Sequence, residues 1–399
     1  MLRDKSIQTQ AVHAGERGPR PDYTPTSTPV YHSVGYLYDD MTDLDGVFAG
    51  QKDGYVYPRY GNPTVAAFER ALAVLEGTEE AVAYASGMAA IHAALLGAGA
   101  RHGSHIVAAA DVYGATYALL ARTLADLGVH THFVDICDLA AVAQAVEQHQ
   151  PAALLCEIIS NPLMKVADVP ALAELAHRAS AALIVDNTFA SPYVFRPAAL
   201  GVDYVVHSAT KYLAGHGDVL AGVVCCNRAR AHDLRERQKL LGDNLGPEQA
   251  WLALRGLKTL VLRVRQQCAN AQCVAEWLQQ QAGVLRVNYP GLAQHPQHAL
   301  AGRLFAERGY GGMLSFDLRD AGRTEVFRFF EALQLILPAT TLGDTQSLML
   351  YPAHSSHRAL SPEVRADLGI GEGLVRLSTG IEDVQDIIAD IEQALARLA

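Results

Sequence analysis

Lysine is scarce in this chain of 399 residues, and one of its six lysines lies where a reactive amine could be held. Lys211 belongs to the segment HSATKYLAGHGD, directly after an apolar run, 202–207, that predicts a buried strand. A lysine at the end of a buried strand can act as a nucleophile and form a Schiff base. A lysine after a strand is more often an ordinary surface residue, so Lys211 alone does not establish a site.

Two further segments place polar groups at the ends of predicted strands. Asp186 ends the apolar run ALIVD, and Ser86-Gly87-Met88 lies between a strand predicted over 81–85 and a helix. In open α/β sheets, ligands bind at the carboxyl ends of strands. Free N–H groups at a helix N-terminus, with a glycine that permits close approach, form an anion site. Both segments also have a plainer interpretation, because Asp and Ser commonly cap helices and turns.

A lysine amine, a strand-end carboxylate and an anion site together meet the requirements of pyridoxal phosphate (PLP). Its aldehyde forms a Schiff base with an amine, and its pyridine nitrogen stays protonated beside a carboxylate. Its phosphate could accept hydrogen bonds from the helix start at Ser86 and from the hydroxyls of Ser208 and Thr210. The residues therefore predict a PLP site built around Lys211 and Asp186.

The elements that must position these residues follow from the alternation of apolar runs with helical patterns. That alternation predicts an α/β fold with a mostly parallel sheet and helices on both faces. One helix begins after Asn62, a suitable cap, and ends at Gly77. The other predicted elements are strands at 81–85, 105–109, 129–134, 153–158, 182–186, 202–207 and 220–226, and helices at 87–97, 114–127, 138–149 and 168–179.

The pattern changes near residue 247 and predicts a second, smaller α/β domain. A long helix is predicted over 247–281, followed by strands at 284–288, 312–318 and 374–378 and helices at 296–307, 322–334 and 383–398. We expect an N-terminal arm at 1–61, a large PLP-binding domain at 62–256 and a small domain at 257–399. The arm is rich in proline and tyrosine and has no core of its own, so it packs either on a neighbouring subunit or on its own domain.

Six motifs, in this order and spacing, resemble the Cys/Met-metabolism, or trans-sulfuration, family of PLP-dependent enzymes. They are YVYPRYGNPT at 55–64, YASGMAAI at 84–91, VDNTFASPY at 185–193, HSATKYLAGHGD at 207–218, RGLKTL at 255–260 and GLVRLSTGIED at 373–383. The resemblance covers nearly the whole chain. It implies PLP fold type I, which is the aspartate aminotransferase-like fold with a large domain and a smaller C-terminal α/β domain.

The resemblance also implies roles for the residues at matching positions. Lys211 would hold the cofactor and move protons, Asp186 would bind the pyridine nitrogen, and Tyr113 would stack on the ring and act as acid or base. Arg376 would bind the substrate carboxylate in a bidentate pair. The phosphate would be held by Ser86, Gly87, Met88, Ser208 and Thr210, and by Tyr57 and Arg59 of a neighbouring subunit, while Asn161 and Thr341 would assist cofactor and carboxylate binding. A homo-oligomer with shared sites, a tetramer built from two dimers, follows from this.

The same resemblance leaves several reactions open. The first is γ-elimination from an amino acid with a sulfur- or oxygen-linked γ-substituent, as in methionine γ-lyases. The second is γ-replacement, as in O-acylhomoserine sulfhydrylases or cystathionine γ-synthases; β-elimination is a third and cofactor binding without catalysis a remote fourth. Thr340 lies where relatives that use cystathionine carry a glutamate, so we expect poor use of cystathionine. Ala115 and the pair Ser355-Ser356 are expected to border the substrate pocket and alter its lining.

Composition excludes other classes of function. Half of the residues are hydrophobic and 19% are charged, which is typical of a globular chain. A net charge of −10 lacks the basic surface of a nucleic-acid-binding protein. Without a long apolar run or an N-terminal apolar signal, we expect a cytoplasmic protein that does not bind membranes. His130 and His132, like His354 and His357, are close in sequence, but without a cysteine or carboxylate at ligand spacing we expect no metal site.

Overall fold

Seven short strands form the large sheet of the computed structural model, which describes residues 25–305, 308–358 and 361–398. They are β1 (Glu80–Tyr84), β2 (His105–Ala109), β3 (His130–Val134), β4 (Ala153–Glu157), β5 (Ala182–Asp186), β6 (Tyr204–Ser208) and β7 (Gly222–Cys226). Their order is β1-β7-β6-β5-β4-β2-β3. Only β7 runs antiparallel to its neighbours, so the carboxyl ends of the other six meet at one edge. Each predicted strand of this sheet is confirmed to within two residues.

Helices cover both faces of the large sheet because its strands are apolar on both faces. Phe68 and Leu172 belong to the core on one face, and Ile91 and Leu234 belong to the core on the other. The helices in this part of the chain are α1 (Met41–Phe48), α2 (Pro63–Glu76), α3 (Gly87–Gly97), α4 (Gly114–Ala118), α5 (Leu139–His149), α6 (Val169–Arg178), α7 (Ser191–Val194) and α8 (Arg228–Leu241). The predicted helix at 114–127 continues beyond α4 as a π-helical turn, Leu119–Leu124.

The boundaries of α2 confirm the capping pattern of the sequence. The side chain of Asn62 accepts hydrogen bonds from the N–H groups of Thr64 and Val65. Gly77 ends the helix with a φ of 78°, a left-handed conformation in which a β-carbon would be strained. Asn62 is also buried, and its amide donates to the carbonyl of Tyr31, which holds the N-terminal segment against this helix.

A second, five-stranded sheet lies in the C-terminal part of the chain. Its strands are β8 (Val284–Asn288), β9 (Met313–Leu318), β10 (Leu337–Pro338), β11 (Leu348–Leu350) and β12 (Leu374–Ser378), in the order β10-β11-β12-β9-β8. The helices are α9 (Pro247–Leu257), α10 (Leu260–Leu278), α11 (His298–Phe305), α12 (Arg323–Ala332), α13 (Pro362–Asp367) and α14 (Val384–Leu395). A separate core, with Phe316 and Phe329, packs between this sheet and its helices. Strands β10 and β11 were not predicted, because two or three residues show no periodicity.

The prediction of one continuous helix over 247–281 is wrong, because the helix breaks between α9 and α10. Buried Arg263 of α10 turns back and donates to the carbonyl of Gly256 and to the hydroxyl of Thr259. It also donates to the carbonyl of Tyr212, in the segment that follows β6. A β-carbon on Gly256 would lie 2.2 Å from the carbonyl oxygen of Ala214, so only glycine permits this approach.

The N-terminal segment contains α1 but leaves large apolar side chains exposed. Leu37 is 89% exposed and Met41 is 72% exposed. Residues 1–24 of the predicted arm lie outside the described residues. The domain limits at 61/62 and 256/257 stay predictions. Among the described helices, none combines the length and the apolar character that crossing a bilayer would demand.

Candidate active site

A cavity of about 420 Å³ opens at the carboxyl edge of the large sheet, against residues that follow β10 and β11. The two sets of elements meet here, and ten of the predicted site residues line the cavity. They are Ser86, Gly87, Met88, Tyr113, Asn161, Asp186, Ser208, Thr210, Lys211 and Arg376. Thr341 contacts two of them, whereas Tyr57 and Arg59 do not line it.

One wall of the cavity is formed by the start of α3. The hydroxyl of Ser86 accepts a hydrogen bond from the N–H of Ala89, 3.1 Å away, and so caps the helix. The first N–H groups of a helix have no acceptor within it and favour an anion. A β-carbon on Gly87 would lie 2.8 Å from Cβ of Ser208, so glycine allows the helix start to approach β6. This wall has the chemistry of a phosphate site.

Asp186 and Glu157 form a pair of buried carboxyl groups at the ends of neighbouring strands. They face each other in the register of β5 and β4. Burial raises the pKa of Asp186, although hydrogen bonds from the hydroxyl and the N–H of Thr188 oppose the shift. Burial and the nearby Asp186 raise the pKa of Glu157 well above its usual range. Two buried carboxylates this close repel each other. The pair therefore favours a proton on one of the carboxyl groups, or a positively charged group beside them in the cavity.

Glu157 is a site residue that the sequence analysis missed. Its carboxylate accepts hydrogen bonds from the N–H groups of Tyr113, at 2.7 Å, and Asn161, at 3.1 Å. It thereby connects the end of β4 to two residues of the cavity wall. The available signal was the run ALLCE, which ends in an acidic residue as ALIVD does.

Lys211 projects into the cavity and donates from Nζ to the hydroxyl of Thr341, 3.0 Å away. Burial, reinforced by the positive charge of Arg376, lowers the pKa of Lys211 to about 8, and Asp344 only partly offsets this. A lysine with this pKa is partly neutral near pH 7.5, as a nucleophile or proton acceptor must be. A β-carbon on Gly343 would lie 2.8 Å from the N–H nitrogen of Tyr212, so glycine lets the 340–344 loop approach the lysine.

Arg376, in the middle of β12, brings a buried positive charge to the cavity. Its Nη1 donates to the side-chain oxygen of Asn161 at 2.9 Å, and its Nη2 donates to the carbonyl of Thr341 at 3.4 Å. Nε is buried without a partner, and no carboxylate of the described residues forms an ion pair with this arginine. Burial lowers its pKa to about 10. A buried guanidinium without a counter-ion favours binding of an anion such as a carboxylate.

Tyr113 is 43% exposed beside the cavity, whereas Tyr57 and Arg59 lie away from it. The guanidinium of Arg59 donates to the carbonyl of Lys239 and lies 5.5 Å from the ring centroid of Tyr57. Within one chain, these two residues therefore do not reach the wall formed by α3. Ala115 lies between Tyr113 and Thr116, which both line the cavity, and the expectation that it borders the substrate pocket stays a prediction.

Comparison with known proteins agrees with this geometry. The sequence profile of the family described as "Cys/Met metabolism PLP-dependent enzyme" matches residues 8–396. The chain belongs to this family. An O-succinylhomoserine sulfhydrylase from Pseudomonas aeruginosa is 40% identical over 100% of this chain and 97% of its own length. An L-methionine γ-lyase from Pseudomonas putida is 41% identical over 97% of this chain and 96% of its own.

Among solved structures, a cystathionine γ-synthase from Xanthomonas oryzae, in complex with aminoacrylate and cysteine, superposes with a TM-score of 0.87. It is 37% identical, and the match covers 93% of each chain. The predicted fold type I architecture is confirmed by this similarity. The relatives of this PLP-dependent enzyme thus include both lyases and transferases at nearly equal identity, so identity alone does not decide between the two reactions.

PLP is the cofactor of this family, and the cavity fits it. The buried carboxyl of Asp186 has a raised pKa, which suits a group that shares a proton with a pyridine nitrogen. The start of α3, with Gly87 against Ser208, suits a phosphate, and the amine of Lys211 suits an aldehyde. The three groups required by the cofactor therefore line one cavity.

Proposed function

We propose that this enzyme catalyses γ-elimination from an amino acid with an uncharged, sulfur- or oxygen-linked γ-substituent. With one water molecule consumed, the products would be a keto acid, ammonia and the released group, which is a thiol from a thioether and a carboxylate from an acyl ester. The proposed substrate class rests on one observation: apart from Arg376, the cavity wall contributed by the C-terminal part of the chain is uncharged. The other residues of this wall are Thr340, Leu342, Leu350, Ser355 and Ser356.

Neutral walls favour a neutral substituent because a buried charge requires a partner. The acidic groups of the described lining are Glu157 and Asp186, which lie together at the strand ends. Neither belongs to the neutral wall, so a distal ammonium group, such as that of cystathionine, would find no carboxylate there. The presence of Ser355 and Ser356 in the lining agrees with the sequence expectation for this pair.

Different residues of the cavity would perform different steps of an elimination. Arg376, held by Asn161 and the carbonyl of Thr341, would bind the substrate carboxylate. Because its pKa is lowered, Lys211 would accept the proton from the substrate Cα and later donate it to a different atom of the substrate. Tyr113, whose main chain is held by Glu157, would move a proton at the departing group. PLP, when bound, supplies an electron sink for the negative charge that proton removal leaves.

Elimination is favoured over replacement by cysteine because the described lining of one chain has no further cation for the carboxylate of a second amino acid. Cysteine would bring a carboxylate and an ammonium of its own. The cations of the described lining are Lys211 and Arg376, and the proposed roles already occupy both. A cystathionine γ-synthase reaction is therefore disfavoured in this chain.

Replacement by a small thiol is the second candidate. The hydroxyls of Thr340, Ser355 and Ser356 in the lining can donate hydrogen bonds to an acyl ester of homoserine. The relative from Pseudomonas aeruginosa, an O-succinylhomoserine sulfhydrylase, supports the same possibility. Sulfide or a small thiol needs no second cation, so the cavity lining does not oppose this reaction.

Thr340 provides a test of the substrate class. We expect kcat/KM for cystathionine to lie about 5- to 150-fold below that for the best neutral substrate, since an unpaired ammonium costs about 1–3 kcal/mol. The measurement is kcat/KM for methionine, homocysteine, O-acetylhomoserine, O-succinylhomoserine, canavanine and cystathionine. Each rate is determined from the keto acid and the ammonia that are released. Thr340→Glu should raise kcat/KM for cystathionine by supplying the missing carboxylate.

Thr340→Gln is the matched control, because glutamine has nearly the size of glutamate without its charge. It should leave the preference among substrates unchanged. If wild-type enzyme used cystathionine best, or if the Gln and Glu variants gained equally, the substrate class proposed here would be wrong.

A second copy of the chain completes the proposed site. In the described lining, no cation lies on the wall formed by α3, since Lys211 contacts Thr341 and Arg376 contacts Asn161. Arg59 could supply that charge from a neighbouring subunit. The segment that carries it leaves a set of large apolar side chains exposed that an interface would cover: Tyr31, Val34, Leu37, Met41, Phe48, Tyr57 and Tyr60. We propose a homo-oligomer with shared sites, its basic unit a dimer.

A further inference from the structure

Three histidines from three elements converge at the end of the large sheet opposite the cavity. His105 begins β2, His132 lies in β3, and His149 ends α5. One ring nitrogen of each lies within 4.8 Å of the others. The carboxyl ends of β2 and β3 face the active-site edge. At about 3.3 Å per residue, His105 lies about 13 Å from the carboxyl end of β2, and His132, the central residue of β3, lies about 7 Å from the end of its strand.

The rings of this histidine cluster (His105, His132 and His149) are packed closely. Nδ1 of His105 and Nε2 of His132 are 2.9 Å apart. The rings of His132 and His149 stack with centroids 3.4 Å apart and planes only 6° from parallel. His130 stacks on His105 from the other side, with centroids 5.1 Å apart. The cluster therefore brings one nitrogen of each of three imidazoles into a small volume, and rotation of the stacked rings would turn their in-plane lone pairs toward one ion.

Three imidazoles are a common ligand set for a transition-metal ion. Zn²⁺ binds histidine nitrogen at about 2.0–2.1 Å, which places tetrahedral ligands about 3.3 Å from one another. A pair of nitrogens at the 4.8 Å limit would need to approach by about 1.5 Å to reach that separation. All three side chains are partly exposed, so an ion can enter and a water molecule can fill a fourth position.

We propose that the histidine cluster binds one Zn²⁺ ion per chain. The ion would link β2, the edge strand β3 and the end of α5, and it would have no part in the reaction at the opposite edge of the sheet. This inference reverses our expectation of no metal site. That expectation considered His130 and His132 as a pair within one strand. In the structure, the histidines whose nitrogens lie close together are His105, His132 and His149.

The test measures zinc binding to the holoenzyme after chelator treatment and dialysis. Equilibrium dialysis against micromolar free Zn²⁺, with metal content determined per chain, should give one bound ion. Loss of a residue that merely orients a metal ligand costs about 10- to 100-fold in affinity, so loss of a ligand should cost at least tenfold. We expect that loss in His132→Gln and in His149→Gln. His232→Gln, which changes an exposed histidine of α8, should bind as wild type does.

His149→Gln keeps the test valid if a change within β3 prevents folding, because His149 is the last residue of its helix. Cu²⁺ bound in place of zinc should show electron paramagnetic resonance couplings to several imidazole nitrogens, and fewer in the His149 variant. The proposal is overturned if wild-type enzyme takes up no stoichiometric zinc, if both cluster variants keep wild-type affinity, or if His232→Gln loses it as well.

Discussion

Replacing Lys211 with alanine should abolish turnover and remove the visible absorption of the protein-bound cofactor. Lys211 is the lysine that lines the cavity, and burial lowers its pKa to about 8. One positioned acid–base group contributes about 10²- to 10⁴-fold to a rate, and this residue would also hold the cofactor, so we expect at least the upper end of that range. The measurements are kcat/KM on the best substrate and the absorption spectrum of the purified variant.

Lys258→Ala is the control, since Lys258 is exposed between α9 and α10. It should retain both turnover and the visible band. Treatment with borohydride followed by peptide mapping identifies the lysine that carries the cofactor. A reducible adduct that persisted in Lys211→Ala would place the cofactor on a different lysine.

Mixing two inactive variants should restore activity if the sites are shared. Arg59→Ala removes the cation that a neighbouring subunit is proposed to supply, and Lys211→Ala removes the amine of the cavity. A hybrid dimer would contain one site with both groups intact and one with neither. Random pairing should therefore restore about a quarter of the wild-type activity, because about half of the dimers are hybrids with one intact site.

The experiment requires proof that hybrids form, which differently tagged subunits and two-step affinity purification provide. Mixing Lys211→Ala with itself under two tags is the matched control and should give no activity. Absence of recovery in purified hybrids would mean that each site is built from one chain. In that case Arg59 would serve only its own contacts with Lys239 and Tyr57.

The strand-end residues were predictable because apolar runs mark strands and parallel strands end at one edge. Asp186 and Lys211 are 25 residues apart in the sequence, yet both line one cavity. The cap at Asn62 was also predictable, because the hydrogen bonds that cap the helix come from Thr64 and Val65, which follow within three residues. Local chemistry and sheet geometry are enough for predictions of this kind.

Features that depend on distant contacts were not predictable. The helix breaks before α10 because Arg263 donates hydrogen bonds to the carbonyls of Gly256 and Tyr212. The sequence does not indicate this break, since neither Pro nor Gly occurs at 258 or 259. Glu157 could be read as the end of a strand, but its bonds to Tyr113 and Asn161 need the folded loops. The histidine cluster likewise depends on the register of β2 with β3 and on the place where α5 ends.

The fate of the substrate carbon chain tests the central claim most directly. Holoenzyme is given methionine or O-acetylhomoserine, with and without an added small thiol, and keto acid, ammonia and thioether are quantified against substrate consumed. We predict keto acid and ammonia in equal amounts, each matching the substrate lost, with thioether a minor product even when thiol is present. Stoichiometric thioether, formed only with added thiol and without keto acid or ammonia, would contradict γ-elimination and make the enzyme a γ-replacement transferase.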